Sequence, residues 1–195
     1  MINDLNYETP GFMKHNKFTI VADDIFLYKN VVPEELQKEG SRWLNNLTEQ
    51  DWRQHGNYEI DDLPKEAFAV DKVSPPMDNI NFFNDIVLSI VVPEYWTIDF
   101  LFANRLKTGD IAPIQPGNYW EGNKDFNLDY VGVIPFGDWS GGDMLFPDKN
   151  LTVSLEPGDL LIFNPDISVG VSEIKSGTRY SIINYIIKVP PRFII

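Results

Sequence analysis

Apolar residues recur at helical spacing in the N-terminal part of the chain, after one short strand. The strand is predicted over 24–28, and a helix follows that begins near Pro33. Its apolar positions fall on one face, at Leu36, Trp43, Leu44 and Leu47. A long polar surface connection is predicted over 45–64. A second helix is expected over 77–91, with its apolar side formed by Ile80, Phe83, Val87 and Ile90. This half is therefore predicted to be a helical support.

From Trp96 onward, β-branched and aromatic residues are interrupted at short intervals by turn sequences. These turns are expected at 108–110, 137–138, 148–150 and 157–159. The pattern predicts an α+β, mainly β fold, a double-stranded β-helix or jelly roll, supported by about two helices. A chain of 195 residues suits one core. We expect a single domain over 1–195, with helical support at 1–95, a β core at 96–188 and an apolar tail at 189–195.

Charge and composition narrow the partners and the compartment. The formal net charge of −13 disfavours nucleic acid, because binding to phosphates requires lysine and arginine. The absence of cysteine excludes a disulfide framework, a thiolate nucleophile and a zinc ribbon. No signal-peptide pattern and no membrane-spanning apolar run is found. A cytoplasmic or virion-associated protein that is not secreted through a signal peptide is predicted, with no membrane partner.

Four short segments of the C-terminal half resemble, in order, the 2-oxoglutarate/Fe(II)-dependent dioxygenases of the prolyl-4-hydroxylase-like branch. They are Leu-Lys-Thr-Gly-Asp at 106–110, Asp-Trp-Ser-Gly-Gly-Asp-Met-Leu-Phe-Pro at 138–147, Glu-Pro-Gly-Asp-Leu-Leu-Ile-Phe at 156–163 and Ser-Gly-Thr-Arg-Tyr-Ser at 176–181. The resemblance runs from about Leu106 to about Tyr185. It implies the same jelly-roll fold, with helices outside the barrel.

The iron-ligand motif of that family is degenerate in this chain. The family holds its iron with a His-x-Asp pair and a distant histidine, and the alignment places these positions on Gln115, Gly117 and Val169. Two imidazoles and a carboxylate are the usual ligands of such an iron. Glutamine is a poor substitute, glycine has no side chain, and valine has no donor atom. The chain has only His15 and His55, both far upstream, so we predict no metal site of the family's geometry.

Arg179 and Ser181 match the residues with which the family holds the distal carboxylate of 2-oxoglutarate. The resemblance therefore implies an anion site at these positions. The other interpretation is that Arg179 pairs with an acidic neighbour, since 29 residues of the chain are Asp or Glu. Asp159 is expected to cap a turn rather than to bind a ligand.

Three hypotheses for the function follow. The first is a non-catalytic oxygenase-fold protein for binding or assembly, which needs no cofactor and acts as a bacteriophage structural or host-interaction protein. It would contact a protein partner or a second copy through Phe193, Ile194 and Ile195. The second is an active dioxygenase with Fe(II), 2-oxoglutarate and unorthodox ligands, drawn from Gln115, Glu121, Asp125 and Asp129. The third is a metal-free binder of a small anion at Arg179 and Ser181.

Overall fold

Two antiparallel β-sheets and one helix form the part of the chain that the computed structural model describes, which is residues 18–55, 70–73, 96–117 and 128–188. The first elements are β1 (Thr19–Ala22), β2 (Ile25–Tyr28), α1 (Glu34–Asn46), β3 (Arg53–His55), β4 (Val70–Val73) and β5 (Trp96–Lys107). The next are β6 (Ala112–Pro116), β7 (Tyr130–Gly141), β8 (Met144–Phe146) and β9 (Leu151–Val153). The last are β10 (Leu160–Phe163), β11 (Ser168–Val171) and β12 (Ile174–Lys188).

The large sheet has eight strands in the order β1-β2-β10-β7-β12-β5-β4-β3, and the small sheet has four in the order β6-β11-β8-β9. From β5 onward the chain passes repeatedly between the sheets, so that β5, β7, β10 and β12 lie in the large sheet and β6, β8, β9 and β11 in the small one. This is the double-stranded β-helix that the turn spacing predicted.

Strand alternation divides the apolar residues of the large sheet between two cores. The inner core lies between the sheets and includes Leu27, Phe102, Val131, Val133, Met144, Phe146, Leu161, Phe163 and Tyr185. The outer core lies between the large sheet and α1 and includes Phe26, Tyr28, Leu44, Trp52, Ile134, Phe136, Leu160, Tyr180 and Ile182. Successive residues of one strand thus face different cores, and only the inner face can contribute to a site inside the sandwich.

Helix α1 packs on the large sheet through the apolar face that the sequence predicted. Leu44 is buried, and Leu36, Trp43 and Leu47 pack against the outer core. Gly40 allows a close approach to the sheet, because a Cβ there would stand 2.7 Å from the ring of Phe136. The helix begins at Glu34, directly after Pro33. In the part of the chain that is described, no helix is long and apolar enough to cross a membrane.

The surface connection predicted over 45–64 is wrong in its described part. Helix α1 extends to Asn46, and β3 occupies Arg53–His55. Trp52 is buried because its ring stacks on Tyr180, with centroids 5.7 Å apart, and lies under the guanidinium of Arg105. These partners come from β12 and β5, so local polarity could not reveal the burial. The predicted second helix at 77–91 and the tail at 189–195 lie outside the described residues.

Candidate functional site

Among the described residues, Arg179 is the largest side chain with almost no solvent exposure, at 1%. It lies in the middle of β12, opposite Leu106 of β5 and Gly137 of β7. The side chain crosses the inner core to the small sheet, where Nη2 donates to the sulfur of Met144 over 3.2 Å. Nη1 donates to the backbone carbonyl of Gly142. Arg179 therefore bridges the two sheets at one end of the sandwich.

No carboxylate among the described residues pairs with this guanidinium, so the ion pair that the sequence left open is not seen there. The nitrogen Nε is buried and has no hydrogen-bond partner. A thioether sulfur is a weak acceptor. Burial lowers the pKa of Arg179 to about 10, and the nearby charge of Asp143 acts in the opposite direction. The group thus remains a cation at neutral pH, desolvated and with donor capacity to spare.

Ser181 and Asn104 extend this polar region along the inner face. Ser181 follows Arg179 by two residues on β12, so both side chains point to the same side of the sheet. Asn104 of β5 lies directly opposite Ser181. Its Oδ1 atom is buried and has no hydrogen-bond partner among the described residues. Asn104 is not among the site residues predicted from the sequence, although it is polar and has the same strand phase as Phe102 and Leu106.

The three predicted metal positions come together in space. Val169 of β11 is directly opposite Gln115 of β6, and Val169 packs against the inner core. Residues opposite each other in an antiparallel pair share one face, so Gln115 also faces inward. The amide of Gly117 donates to the carbonyl of Ile167 over 3.1 Å. The assignment of these residues as degenerate metal positions stays a prediction.

The space beside Gly117 is closed by apolar packing. A Cβ at this position would stand 2.8 Å from Cε2 of Phe163 and 3.1 Å from the carbonyl oxygen of Pro165. Phe163 is 1% exposed, and its ring packs edge-on against Phe146 with centroids 5.4 Å apart. A carboxylate from position 117 would meet an aromatic ring there.

The other proposed metal ligands divide between described and undescribed residues. No group of three or more His, Cys, Asp or Glu residues that could hold a metal occurs within residues 18–55, 70–73, 96–117 and 128–188. Asp129 lies at the start of β7, where its amide donates to Ile186. Glu121, Asp125 and His15 lie outside the described residues, and His55 is part of β3.

Asp159 caps a turn, as the sequence predicted. Its buried carboxylate accepts hydrogen bonds from the amides of Asn30 and Glu156, at 3.0 and 2.9 Å, and from Lys29 Nζ at 2.7 Å. With its oxygens engaged in this way, it holds β2 to the turn before β10. Asp159 therefore contributes to the fold and not to the site.

A cleft of about 250 Å³ lies at the Arg179 end of the sandwich. Its lining includes Trp139, whose ring centroid is 5.8 Å from the guanidinium carbon of Arg179. It also includes the acidic residues Asp138, Asp143 and Glu156. Acidic residues disfavour an anion, and Arg179 is not among the residues that line this cleft.

The structure of this chain is similar to several solved structures. No family model and no curated protein matches this sequence. Among solved structures, a prolyl hydroxylase from Trichoplax adhaerens in complex with a hypoxia inducible factor peptide has a TM-score of 0.64 at 14% identity, covering 85% of this chain and 84% of that one. A 2OG-Fe(II) oxygenase family oxidoreductase from Burkholderia pseudomallei has a TM-score of 0.61 at 10% identity, with 86% of each chain covered.

A viral collagen prolyl hydroxylase from Paramecium Bursaria Chlorella virus-1, solved as a 2OG complex, has a TM-score of 0.56 at 11% identity. The likeness covers 85% of this chain and 98% of that one. At these identities the likeness shows the fold alone. The chain therefore has the fold of the 2OG-Fe(II) oxygenases, prolyl hydroxylases included, as its four motifs indicated.

The expectation that the protein needs no cofactor is contradicted by these structures. One of them is named a 2OG-Fe(II) oxygenase family member, and another is a prolyl hydroxylase solved as a 2OG complex. The expectation rests on the missing histidines alone, although their loss leaves Arg179 in place, which matches the arginine that holds 2-oxoglutarate in the family that the sequence resembles. The described residues fit 2-oxoglutarate better than they fit iron. Arg179, with its unpartnered Nε, fits a carboxylate of 2-oxoglutarate, whereas Gln115, Gly117 and Val169 do not fit an iron centre.

Proposed function

We propose that this protein binds 2-oxoglutarate, or a small acid of the same kind, inside its β-sandwich, and that Arg179 contacts a carboxylate of the ligand. The proposal covers binding and not oxidation, because the residues at the predicted metal positions offer no suitable iron ligands. A role of this kind agrees with the third hypothesis from the sequence, a binder of a small anion at Arg179 and Ser181.

One observation carries the proposal: a guanidinium that is 1% exposed has no ion pair and an unpartnered Nε among the described residues. A buried charge without a counter-ion is costly, and buried polar groups in native proteins almost always have partners. Guanidinium and carboxylate form short, charge-assisted hydrogen bonds, often in pairs. A bound carboxylate would therefore compensate the charge and satisfy Nε together. The hydroxyl of Ser181, two residues along the same face, can donate a further bond.

Calorimetric titration of the full chain with 2-oxoglutarate tests the proposal. We expect saturable binding by the unmodified protein and at least about tenfold weaker binding by Arg179→Met, since loss of a charged hydrogen bond costs about 1.5–3 kcal/mol. Arg105→Met is the matched control. It also removes a buried arginine of the large sheet, but one that faces the outer core. Its affinity should equal that of the unmodified protein.

Two results would overturn the proposal. One is the absence of binding by folded, unmodified protein; the other is unchanged affinity in folded Arg179→Met. A parallel titration with Fe(II) under anaerobic conditions addresses the dioxygenase hypothesis. Tight metal binding with conversion of 2-oxoglutarate to succinate in air would replace the binding role with a catalytic one, using ligands outside the described residues.

The predicted roles in assembly and in a bacteriophage stay predictions. Their proposed contact residues, Phe193, Ile194 and Ile195, lie outside the described part of the chain.

A further inference from the structure

A second unpartnered polar atom lies on the inner face near Arg179. Oδ1 of Asn104 is buried and accepts no hydrogen bond from the described residues. An amide oxygen in this state loses its hydration without compensation, which is unfavourable. Arg179 Nε and Asn104 Oδ1 have opposite requirements, because the first must donate a hydrogen bond and the second must accept one.

The register of β5 and β12 places these atoms on neighbouring positions of one surface. Asn104 is opposite Ser181, and Leu106 is opposite Arg179. Asn104 and Arg179 are therefore diagonal neighbours, whose Cα atoms are typically about 7–8 Å apart across an antiparallel pair. A separation of this size can be bridged by one small dicarboxylic acid that contacts both residues.

The chemistry of 2-oxoglutarate satisfies only one of the two atoms. At neutral pH its two carboxylates and its ketone are all acceptors, so it can bind the guanidinium but gives nothing to Asn104 Oδ1. An acid that also carries a hydroxyl or an amino group near its carboxylate can satisfy both. Specificity of this type is strong, because a ligand that lacks the matching group leaves a buried polar atom unpaired.

We infer that the site prefers a small hydroxy or amino dicarboxylic acid to the corresponding oxo acid, with Arg179 holding the carboxylate and Asn104 Oδ1 accepting from the hydroxyl or amino group. The inference rests on the proposed function and refines it by naming the class of ligand. It assigns to Asn104 the role of a specificity residue.

Four five-carbon dicarboxylates that differ only at one carbon provide the test: glutarate, 2-oxoglutarate, 2-hydroxyglutarate and glutamate. Calorimetry on the unmodified full chain should give at least about tenfold tighter binding for 2-hydroxyglutarate or glutamate than for 2-oxoglutarate, which corresponds to one satisfied buried acceptor. Asn104→Leu, which removes the acceptor, should bind all four with similar affinity. Because the ligand series needs no substitution, the result does not depend on how the variant folds.

Asn184 offers a matched control. It is an asparagine of β12 whose buried Oδ1 has no partner among the described residues, but it shares the strand phase of Tyr180 and Ile182 and so faces the outer core. Asn184→Leu should keep the preference for the hydroxy or amino acid. The inference fails if 2-oxoglutarate binds as tightly as the other acids, or if folded Asn104→Leu keeps the preference. If none of the four acids binds, the proposed function itself fails, and the two failures are thereby distinguished.

Discussion

Among the described side chains of the large sheet, two arginines are buried, one on each face, and they differ in every contact. Arg105 is 5% exposed and faces the outer core, where Nη1 and Nη2 donate to the two carboxylate oxygens of Glu49 at 2.9 and 2.7 Å. Its guanidinium lies 4.6 Å from the ring centroid of Trp52. Arg179 faces the inner core and has a carbonyl and a sulfur as acceptors, with Nε left unpartnered.

The contacts of Arg105 therefore indicate a structural role, whereas those of Arg179 make it a candidate for ligand binding. Arg105 is satisfied within the fold by a fork-like pair and a cation–π contact. Arg179 is held in place but not neutralised, since Asp143 contributes charge without a salt bridge. A buried residue whose contacts are incomplete is therefore a candidate for ligand binding.

The largest loss of stability is expected at Gly117, at the end of the inner core away from Arg179, where Phe163 fills the space beside the glycine. Gly117→Asp should lower the free energy of unfolding by roughly 3 kcal/mol, because the new carboxylate meets Phe163 and is buried without a partner. Urea unfolding measures the change, and Gln115→Asp, on the same edge without that contact, should lose less. Unchanged stability of Gly117→Asp would show that this end has room for a ligand.

Replacing each arginine with methionine tests directly whether Arg105 and Arg179 differ in their contribution to stability. Arg105→Met should lower the free energy of unfolding by about 2 kcal/mol, because it removes a satisfied pair. Arg179→Met should leave it equal or raise it by about 1 kcal/mol, since a desolvated charge is replaced by an apolar chain of similar length. Urea unfolding measures the free energy of unfolding of both variants, which can be compared when their denaturant slopes are equal. An equal loss in both variants would mean that Arg179 is as well satisfied as Arg105.

The stability of the protein at alkaline pH depends on how strongly the inner core desolvates the phenol of Tyr185. Burial raises the pKa of Tyr185 to about 12 from 10.0. Below pH 10 the phenol is neutral in both states; above pH 10 it ionises first in the unfolded chain, so stability falls as pH rises towards 12. Near pH 11 this contribution is about 1 kcal/mol. Tyr185→Phe should therefore lose less stability between pH 10 and 11 in parallel urea titrations; an unchanged pH slope would contradict the prediction.

The smallest effect is expected at Glu49, the exposed partner of Arg105. Hydrogen bonds from Arg105 and then from Lys107 lower the pKa of the Glu49 carboxyl. Its contribution is thus present above its unfolded pKa and is lost as pH falls through the folded one. Glu49→Gln should slightly lower Tm at pH 7 and low salt, and the difference should disappear near pH 3 and diminish in high salt. A Tm difference that persists at pH 3 would exclude this electrostatic origin.

Much of the architecture could be predicted from the sequence because its signals are local. Leu36, Trp43, Leu44 and Leu47 mark one helical face by their spacing. The turns before β10 and after β5 are marked by glycine and aspartate, and Asp159 caps one of them. Trp52 was misjudged because its burial depends on Arg105 and Tyr180, which are distant along the chain.

The sequence by itself determined the class of fold and the residue types available for chemistry, the absence of histidine after His55 included, since each of these depends on residue identity and short-range periodicity. Only the tertiary structure decided which arginine is satisfied, that Asn104 lies opposite Ser181, and that Phe163 fills the space beside Gly117. These features depend on contacts between strands far apart in sequence. Hydrogen-bond satisfaction is a property of such contacts and is not encoded at any single position.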